Sequence, residues 1–427
     1  MKKVLKNRNY QLLFAGNLVS QIGQAFFGFA MGWYILTITG SPFQAGVFIA
    51  INGLIQTLLV PFLSVYADRW HKGRILFATD LARGLSILLA GSLIFQLTDP
   101  SVIIWVLYVN ALVMAISHAF FSPAAMAIIP EIVGDENLRE AMSINSFVNS
   151  TQQLVGVLLA GLLYALLGIF GIFIYTGISF ILSAISELFI KLNHQKDSER
   201  SDFNAYKKDL KFGLDYLFKT TGLKEMLMLI VLLNFSIAPI FTNVYPYVFN
   251  LVLERTPFEL SLVSVALSIG MLVGGISVGT LSQGFSIKQA MKGGIIVTFI
   301  ILIGHHTWLV IGSESVIRFG LFYPVFLSIT FIFGLVNMWV NIPFNTGLTK
   351  AIEPSVRGRV MGLVSTVAQG LIPLSILLGG YLLEVTSVRT VLIIFTGVGI
   401  MPFILFLKSK SVNQLLSSLK ETSPKTA

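Results

Sequence analysis

The chain contains no cysteine, which removes structural disulfides, thiolate metal sites and cysteine nucleophiles together and says nothing firm about compartment. Charge is scarce as well: Asp, Glu, Lys and Arg make up 11% of the 427 residues, against roughly 25% in a soluble globular chain. Water is therefore not its main solvent. No Glu/His metal spacing, Ser-His-Asp arrangement or phosphate loop is present, so neither an enzyme nor a bound metal or other cofactor is expected. A cleavable leader is not expected either. The start Met1-Lys2-Lys3 runs through Arg8 into an apolar segment longer than a signal core, and no small-residue cleavage site follows it.

What the chain has instead is long apolar runs, with 55% hydrophobic residues. A helix needs about 20 apolar residues to cross a bilayer core. Runs punctuated by turns or charge predict spans near 11–38, 44–67, 75–97, 102–122, 142–167 and 170–190, then near 225–251, 260–283, 291–312, 319–348, 360–384 and 388–408. The expected fold is an all-α membrane protein of twelve transmembrane helices in two six-helix halves. Its expected parts are a bundle over 1–191, a cytoplasmic linker over 192–224, a bundle over 225–408 and a cytoplasmic tail over 409–427.

The formal charge of +9 does not point to nucleic acid, because the basic residues sit in short clusters between apolar runs. With a cytoplasmic N-terminus, only Arg255, Arg318 and Arg389 of the 29 Lys and Arg fall in outer loops, and Arg83 falls inside the third span. The excess on the other side predicts that both termini are cytoplasmic. The linker carries Phe203, Tyr206, Leu210, Leu214 and Leu217 at helical spacing against Lys207, Lys208, Lys211 and Lys219. That pattern predicts a basic amphipathic helix on the inner leaflet.

Two short motifs recur at an offset of half the chain. Ser41-Pro42-Phe43-Gln44 opens the second span and Thr256-Pro257-Phe258-Glu259 opens the eighth. Pro130-Glu131 with Arg139 follows the fourth span, and Glu353-Pro354 with Arg357-Gly358-Arg359 follows the tenth. Duplicated halves leave a cleft at mid-membrane that rocking exposes to each side in turn.

Amides in a bilayer are costly unless they face one another or water, so their stripes mark a candidate substrate cavity. Asn17, Gln21 and Gln24 share a face of the first span, Asn52 and Gln56 of the second, and Asn145, Asn149 and Gln152 of the fifth. The tenth repeats this with Asn337, Asn341 and Asn345, and the eleventh adds Gln369. Hydrogen bonds that merely hold the bundle together are the competing explanation. Phe26, Phe27, Trp33, Phe120 and Met338 offer adaptable apolar walls, although lipid-facing aromatics are commoner. Gly370, Pro373 and Gly379 in the eleventh span predict a helix bend.

The loop between the second and third spans reads Asp68-Arg69-Trp70-His71-Lys72-Gly73-Arg74, with Asp80 and Arg83 following. This resembles the cytoplasmic loop signature of the major facilitator superfamily. It departs from that signature at Ser64 and His71, and the position equivalent to Asp68 in the second half is Gln283. The chain is also similar to macrolide-efflux-type exporters of that superfamily in Phe121-Ser122-Pro123-Ala124, Gly358-Arg359-Val360 and the glycine-proline spacing of the eleventh span, with Val157 where related exporters often place proline. The resemblance implies a cytoplasmic gate of Asp68, Arg69, Lys72, Arg74, Asp80, Arg357 and Arg359, in which Asp68 meets a helix N-terminus of the opposite half.

It further implies a secondary transporter in a bacterial inner membrane that exports a lipophilic or amphipathic molecule, macrolide-like, by alternating access with protons as coupling ion. The expected state is a monomer whose partners are that small molecule and the lipid bilayer, with no nucleic acid. The alternatives are an exporter or flippase of an endogenous amphiphile such as a siderophore or lipid, and a non-transporting sensor or scaffold. A proton-driven exporter buries a titratable group in its path; the candidates are Glu131 at the inner end of the fourth span and His118 within it. Glu187, four before Lys191, reads as a structural pair by helical spacing.

Overall fold

A computed structural model describes residues 4–67, 70–152, 156–191, 203–281, 287–314 and 316–421, and these are helical almost throughout. The long helices are α1 (Arg8–Thr39), α2 (Pro42–Ala67), α3 (Lys72–Gln96), α4 (Pro100–Val133), α5 (Leu138–Thr151) and α6 (Val157–Leu188). They continue with α7 (Phe203–Lys219), α8 (Leu223–Val252), α9 (Pro257–Leu281), α10 (Ile287–Ser313) and α11 (Phe319–Ala351). The chain ends with α12 (Arg357–Gly370), α13 (Ile372–Val385), α14 (Val388–Lys408) and α15 (Lys410–Glu421).

The repeated motif is a helix start written twice. Ser41 Oγ accepts from the Gln44 amide at 3.1 Å, and Thr256 Oγ1 accepts from the Glu259 amide at 3.3 Å while the Glu259 carboxylate accepts from the Thr256 amide at 2.8 Å. In both, proline occupies the first helical position, where its missing N–H costs nothing.

Eleven helices among the described residues are long and apolar enough to cross a membrane. The predicted fifth span, 142–167, is divided between α5 and the start of α6, and residues 153–155 between them lie outside the description. Within α6, Gly168 takes φ 63°, ψ −175°, a non-helical conformation open to glycine, so an unbroken apolar stretch changes direction there. The fourth span runs to Val133 instead of stopping at 122, passing Pro123 and Pro130; neighbouring helices in a bundle can supply the backbone partners that proline removes. α8 contains π-helical turns at Ile240–Val244, directly after Pro239, and at Val248–Val252, two residues after Pro246. α12 and α13 meet at Leu371, between Gly370 and Pro373.

The chain divides into two compact units, Met1–Ala205 with Phe249–Ser261, and Tyr206–Val248 with Leu262–Ala427. Phe249–Ser261 groups with the first unit because Asn250 donates to Trp33 O and Thr37 Oγ1, and because Gly161 lies against Ser261. Within this unit α1 and α6 approach through small residues: a Cβ at Gly16 or Gly23 would enter Ser186 or Ser179. Close approach of this kind is how helices associate where lipid offers no hydrophobic drive.

In the second unit the core joins Met226, Phe344, Val360, Leu363 and Phe406 to Leu217 of α7 and to Val412 and Leu416 of α15. α7 thus buries Leu217 against protein, and Tyr216 Oη accepts from the Glu353 amide at 3.2 Å. The side chains of Phe203, Tyr206, Lys207 and Leu210 lie outside the description. The tail expected after 408 folds into α15 because Val412 and Leu416, four apart, face that core.

Candidate functional site

The first unit holds a cavity of about 230 Å3. Asn17, Gln21 and Gln24 of α1 line it with Arg83 of α3, His118 of α4, Asn145 of α5 and Gln152 just beyond it. Phe14, Phe121 and Met126 form its apolar walls. Phe26, Phe27 and Trp33 are buried in the core instead, and Phe120 stacks on Trp70 with ring centroids 6.0 Å apart.

A smaller cavity of about 70 Å3 in the second unit is lined by Asn337 and Asn341 of α11, Asn234 of α8 and Thr298 of α10, among Leu233, Phe299 and Phe344. Asn234 was not among the expected residues. It donates to Ala368 O at 3.0 Å, and a lone amide in the apolar run before Phe235 was the available signal. Asn52 and Gln56 are half-buried on α2 and line neither cavity. Asn345 and Gln369 are exposed and also line neither, and the Asn149 side chain lies outside the description.

Most of the amides bond along their own helices. Gln21 Nε2 donates to Asn17 Oδ1 at 2.7 Å, Asn341 Nδ2 to Asn337 Oδ1 at 2.7 Å, Asn345 Nδ2 to Asn341 O at 2.9 Å and Gln369 Nε2 to Ser365 Oγ at 3.0 Å. Interhelical glue would require bonds between helices, and among the described amides of the two cavities Asn145 makes one, to Met126 Sδ at 3.9 Å, and Asn234 another, to Ala368 O. An amide satisfied four residues away on its own helix still presents its remaining lone pairs and protons to the cavity.

Of the gate residues, Asp68 and Arg69 lie outside the described residues, as does Gln283. Lys72 at the start of α3 pairs with Glu131 near the end of α4 at 2.6 Å, and Glu131 is 40% exposed. That exposure removes the burial on which the coupling expectation for Glu131 rests. His71 caps α3, its Nδ1 accepting from the Arg74 amide at 3.3 Å. Arg74 and Arg359 are exposed, and Arg357 donates to Ile352 O at 3.2 Å.

Asp80 is buried within the first unit. It shares one stripe of α3 with Leu76, Arg83, Gly84, Ile87 and Gly91, all buried, and a Cβ at Gly84 or Gly91 would meet Ile181 or Phe173 of α6. Asp80 and Arg83 form a fully buried ion pair. The guanidinium carbon lies 4.4 Å from the Phe121 ring centroid and 4.6 Å from that of Phe180, so the cation is held between two aromatic faces. Glu187 of α6 is 2% exposed, and neither of its carboxylate oxygens has a hydrogen-bond partner. It interacts electrostatically with both Asp80 and Arg83. The expected pairing with Lys191 does not form, because α6 ends at Leu188 and the Lys191 backbone turns out to Asn9, whose Nδ2 donates to Lys191 O at 2.7 Å.

His118 lines the cavity beside Arg83 with its Nδ1 unpartnered. In the second unit, by contrast, His305 bonds Tyr245 Oη and Thr330 Oγ1, and His306 Nδ1 lies 2.7 Å from Thr396 Oγ1.

The sequence matches the family described as the Major Facilitator Superfamily over residues 13–375. It is 24% identical over 386 residues to macrolide efflux protein A of Streptococcus pyogenes, covering 87% of this chain and 90% of that protein. It is 26% identical over 390 residues to the multidrug efflux pump Tap of Mycolicibacterium fortuitum, covering 88% and 90%. Its fold is similar to that of a bacterial homologue of the iron transporter ferroportin in an inward-facing state, with a TM-score of 0.74 at 15% identity, over 95% of this chain and 98% of that one.

Proposed function

We propose that this chain, which belongs to the Major Facilitator Superfamily, exports a lipophilic or amphipathic molecule of the macrolide class by proton-coupled alternating access. It is a multi-pass membrane transporter and not an enzyme. The arrangement we put forward is twelve crossings in two six-helix halves, monomeric, in a bacterial cytoplasmic membrane with both termini inside. Its fifth crossing is then α5 with the part of α6 before Gly168.

The observation that carries the substrate class is the amide-lined cavity of the first unit. Asn17, Gln21, Gln24, Asn145 and Gln152 offer neutral donors and acceptors, while Phe14, Phe121 and Met126 offer a deformable apolar wall. A ligand rich in hydroxyl and carbonyl groups on an apolar frame satisfies both. A small, multiply charged solute would find Arg83 as the one charged side chain among the described residues that line the cavity, already committed to Asp80.

Cells expressing the chain are expected to accumulate less radiolabelled erythromycin than cells without it, and a protonophore is expected to abolish the difference. Equal accumulation across a panel of macrolides and other lipophilic drugs would count heavily against this reading. Secreted metabolites that disappear in a deletion strain would then point to an endogenous amphiphile, and substrate binding without counterflow to a sensor.

At the cytoplasmic gate, Asp68→Asn removes a charge at almost constant volume. A latch that biases two states without locking either is worth about 1–3 kcal/mol. Its loss is therefore expected to cut export about 5-fold or more, with the amount of inserted protein unchanged. Export rates by that variant equal to those of the native chain would remove Asp68 from the gate.

A further inference from the structure

We propose that Asp80, Arg83 and Glu187 form the proton-carrying unit of this transporter, with Glu187 as the group that takes up and releases the proton. The assignment rests on the proton-coupled reading above.

Two carboxylates and one guanidinium are buried together beside the cavity of the first unit. With both acids ionised the cluster carries one net negative charge in a place where water cannot compensate it; with one proton added it is neutral. Burial of an uncompensated charge is costly, so the cluster is built to hold one proton. Asp80 Oδ1 is taken by Arg83 Nη2, which leaves only its Oδ2 without a partner, whereas both Glu187 oxygens are free of hydrogen bonds. Glu187 is therefore the member that exchanges. In that step one carboxyl O–H bond of Glu187 breaks as a water molecule gains the proton, and the cluster goes from neutral to one negative charge; uptake is the reverse.

The groups facing Glu187 are few. α3 presents Asp80 and Arg83, and α4 presents His118 near Arg83. α1 presents uncharged Leu12 and Gly16 against Ser183 and Ser186 of α6.

Coupling to substrate follows from the position of Arg83, which touches both sides. Arg83 lines the cavity, its guanidinium pairs with Asp80, and its Nε has no partner. When Glu187 is ionised, two carboxylates draw the guanidinium away from the cavity. When Glu187 is protonated, only Asp80 holds it, and its remaining N–H groups are available to a carbonyl or hydroxyl in the cavity. Differential affinity of one occupant for two protonation states is what links a proton to a substrate.

The test uses the full chain. Infrared difference spectra between acid and alkaline buffer, without substrate, are expected to show the C=O band of a protonated buried carboxyl in the native chain. The band is expected to persist in Glu131→Gln and His118→Gln and to vanish in Glu187→Gln. A band that persists in Glu187→Gln overturns the assignment, as does its absence from the native chain. In proteoliposomes with radiolabelled erythromycin as probe, gradient-driven accumulation by Glu187→Gln is expected to fall about 10-fold or more, while counterflow exchange remains. Full gradient-driven accumulation by that variant also overturns it. If Glu187→Gln is not recovered folded, Glu187→Asp takes its place and is expected to shift the band and retain coupled transport; an unshifted band then overturns the assignment. If the native chain moves no erythromycin while its band depends on Glu187, the macrolide reading fails and the proton carrier stands.

Discussion

Arg83→Met is expected to leave almost no folded protein in the membrane. The substitution keeps much of the volume between the Phe121 and Phe180 rings but removes the one cation facing Asp80 and Glu187. Breaking a buried pair by deleting one partner costs about 3–5 kcal/mol, because the other charge stays behind without compensation. That is a large share of a typical folding free energy of about 5–15 kcal/mol. Arg83→Lys keeps the charge but not the planar group that two aromatic faces clasp, and is expected to fall between the native chain and Arg83→Met. The triple variant Asp80→Asn, Arg83→Met, Glu187→Gln removes all three charges together and is expected to fold again, since replacing a whole buried ionic cluster is often neutral. It is expected to carry substrate only downhill. Thermal unfolding followed by size-exclusion of detergent-solubilised protein reads the stabilities, and an Arg83→Met midpoint equal to the native one would mean that the cluster bears no uncompensated charge.

The helices themselves were legible where their chemistry is local. Ser41-Pro42 and Thr256-Pro257 announce helix starts because a hydroxyl cap and a proline at the first position act within four residues. Apolar runs gave most spans to within a few residues, because the length a bilayer demands is long compared with the error at either end. The break at Gly168 falls between the expected spans 142–167 and 170–190, although Ala165-Leu166-Leu167-Gly168-Ile169-Phe170 has no polar residue to mark it. The tail helix escaped because its reason for folding is tertiary: Val412 and Leu416 need a core that only the folded second unit provides.

At the site, the amides of α1, α5 and α11 were legible as stripes, since polarity inside an apolar run is conspicuous in sequence alone. Which stripe faces a cavity is decided by helix rotation, and there Asn52 and Gln56 part from the others. The burial of Asp80 was not legible: near the start of a helix, one residue on the buried stripe and one facing the cytoplasm look alike. Glu187 was misread because a spacing of four means a pair only while the helix continues, and α6 stops after Leu188.

A single methyl group separates two adjacent glycine environments in α9 and α11. A Cβ at Gly270 would enter the Phe331 carbonyl, one at Gly274 the Leu335 carbonyl, and one at Gly334 the Leu267 carbonyl, so α9 and α11 meet backbone to backbone. Trp339 Nε1 donates to Ser277 Oγ at 2.8 Å further along the same contact. Gly275, next in sequence to Gly274, has nothing within 4 Å of its Cβ position. Lipid is as apolar as the side chains it would replace, so a helix pair of this kind is held by close packing and has little else to fall back on. Gly270→Val and Gly334→Val are accordingly expected to abolish recovery of folded protein, since a carbonyl oxygen cannot rotate away as a side chain can. The alanine variants decide the cause. Replacing glycine by alanine inside a helix is intrinsically favourable by about 1 kcal/mol, so Gly275→Ala is expected to raise the midpoint of thermal unfolding. Gly270→Ala carries the same intrinsic gain but forces the two backbones apart at an overpacking cost of about 1–3 kcal/mol, and its midpoint is expected to fall. Shifts of the same sign at Gly270 and Gly275 would show that helix propensity, not the contact between α9 and α11, governs this part of the second unit.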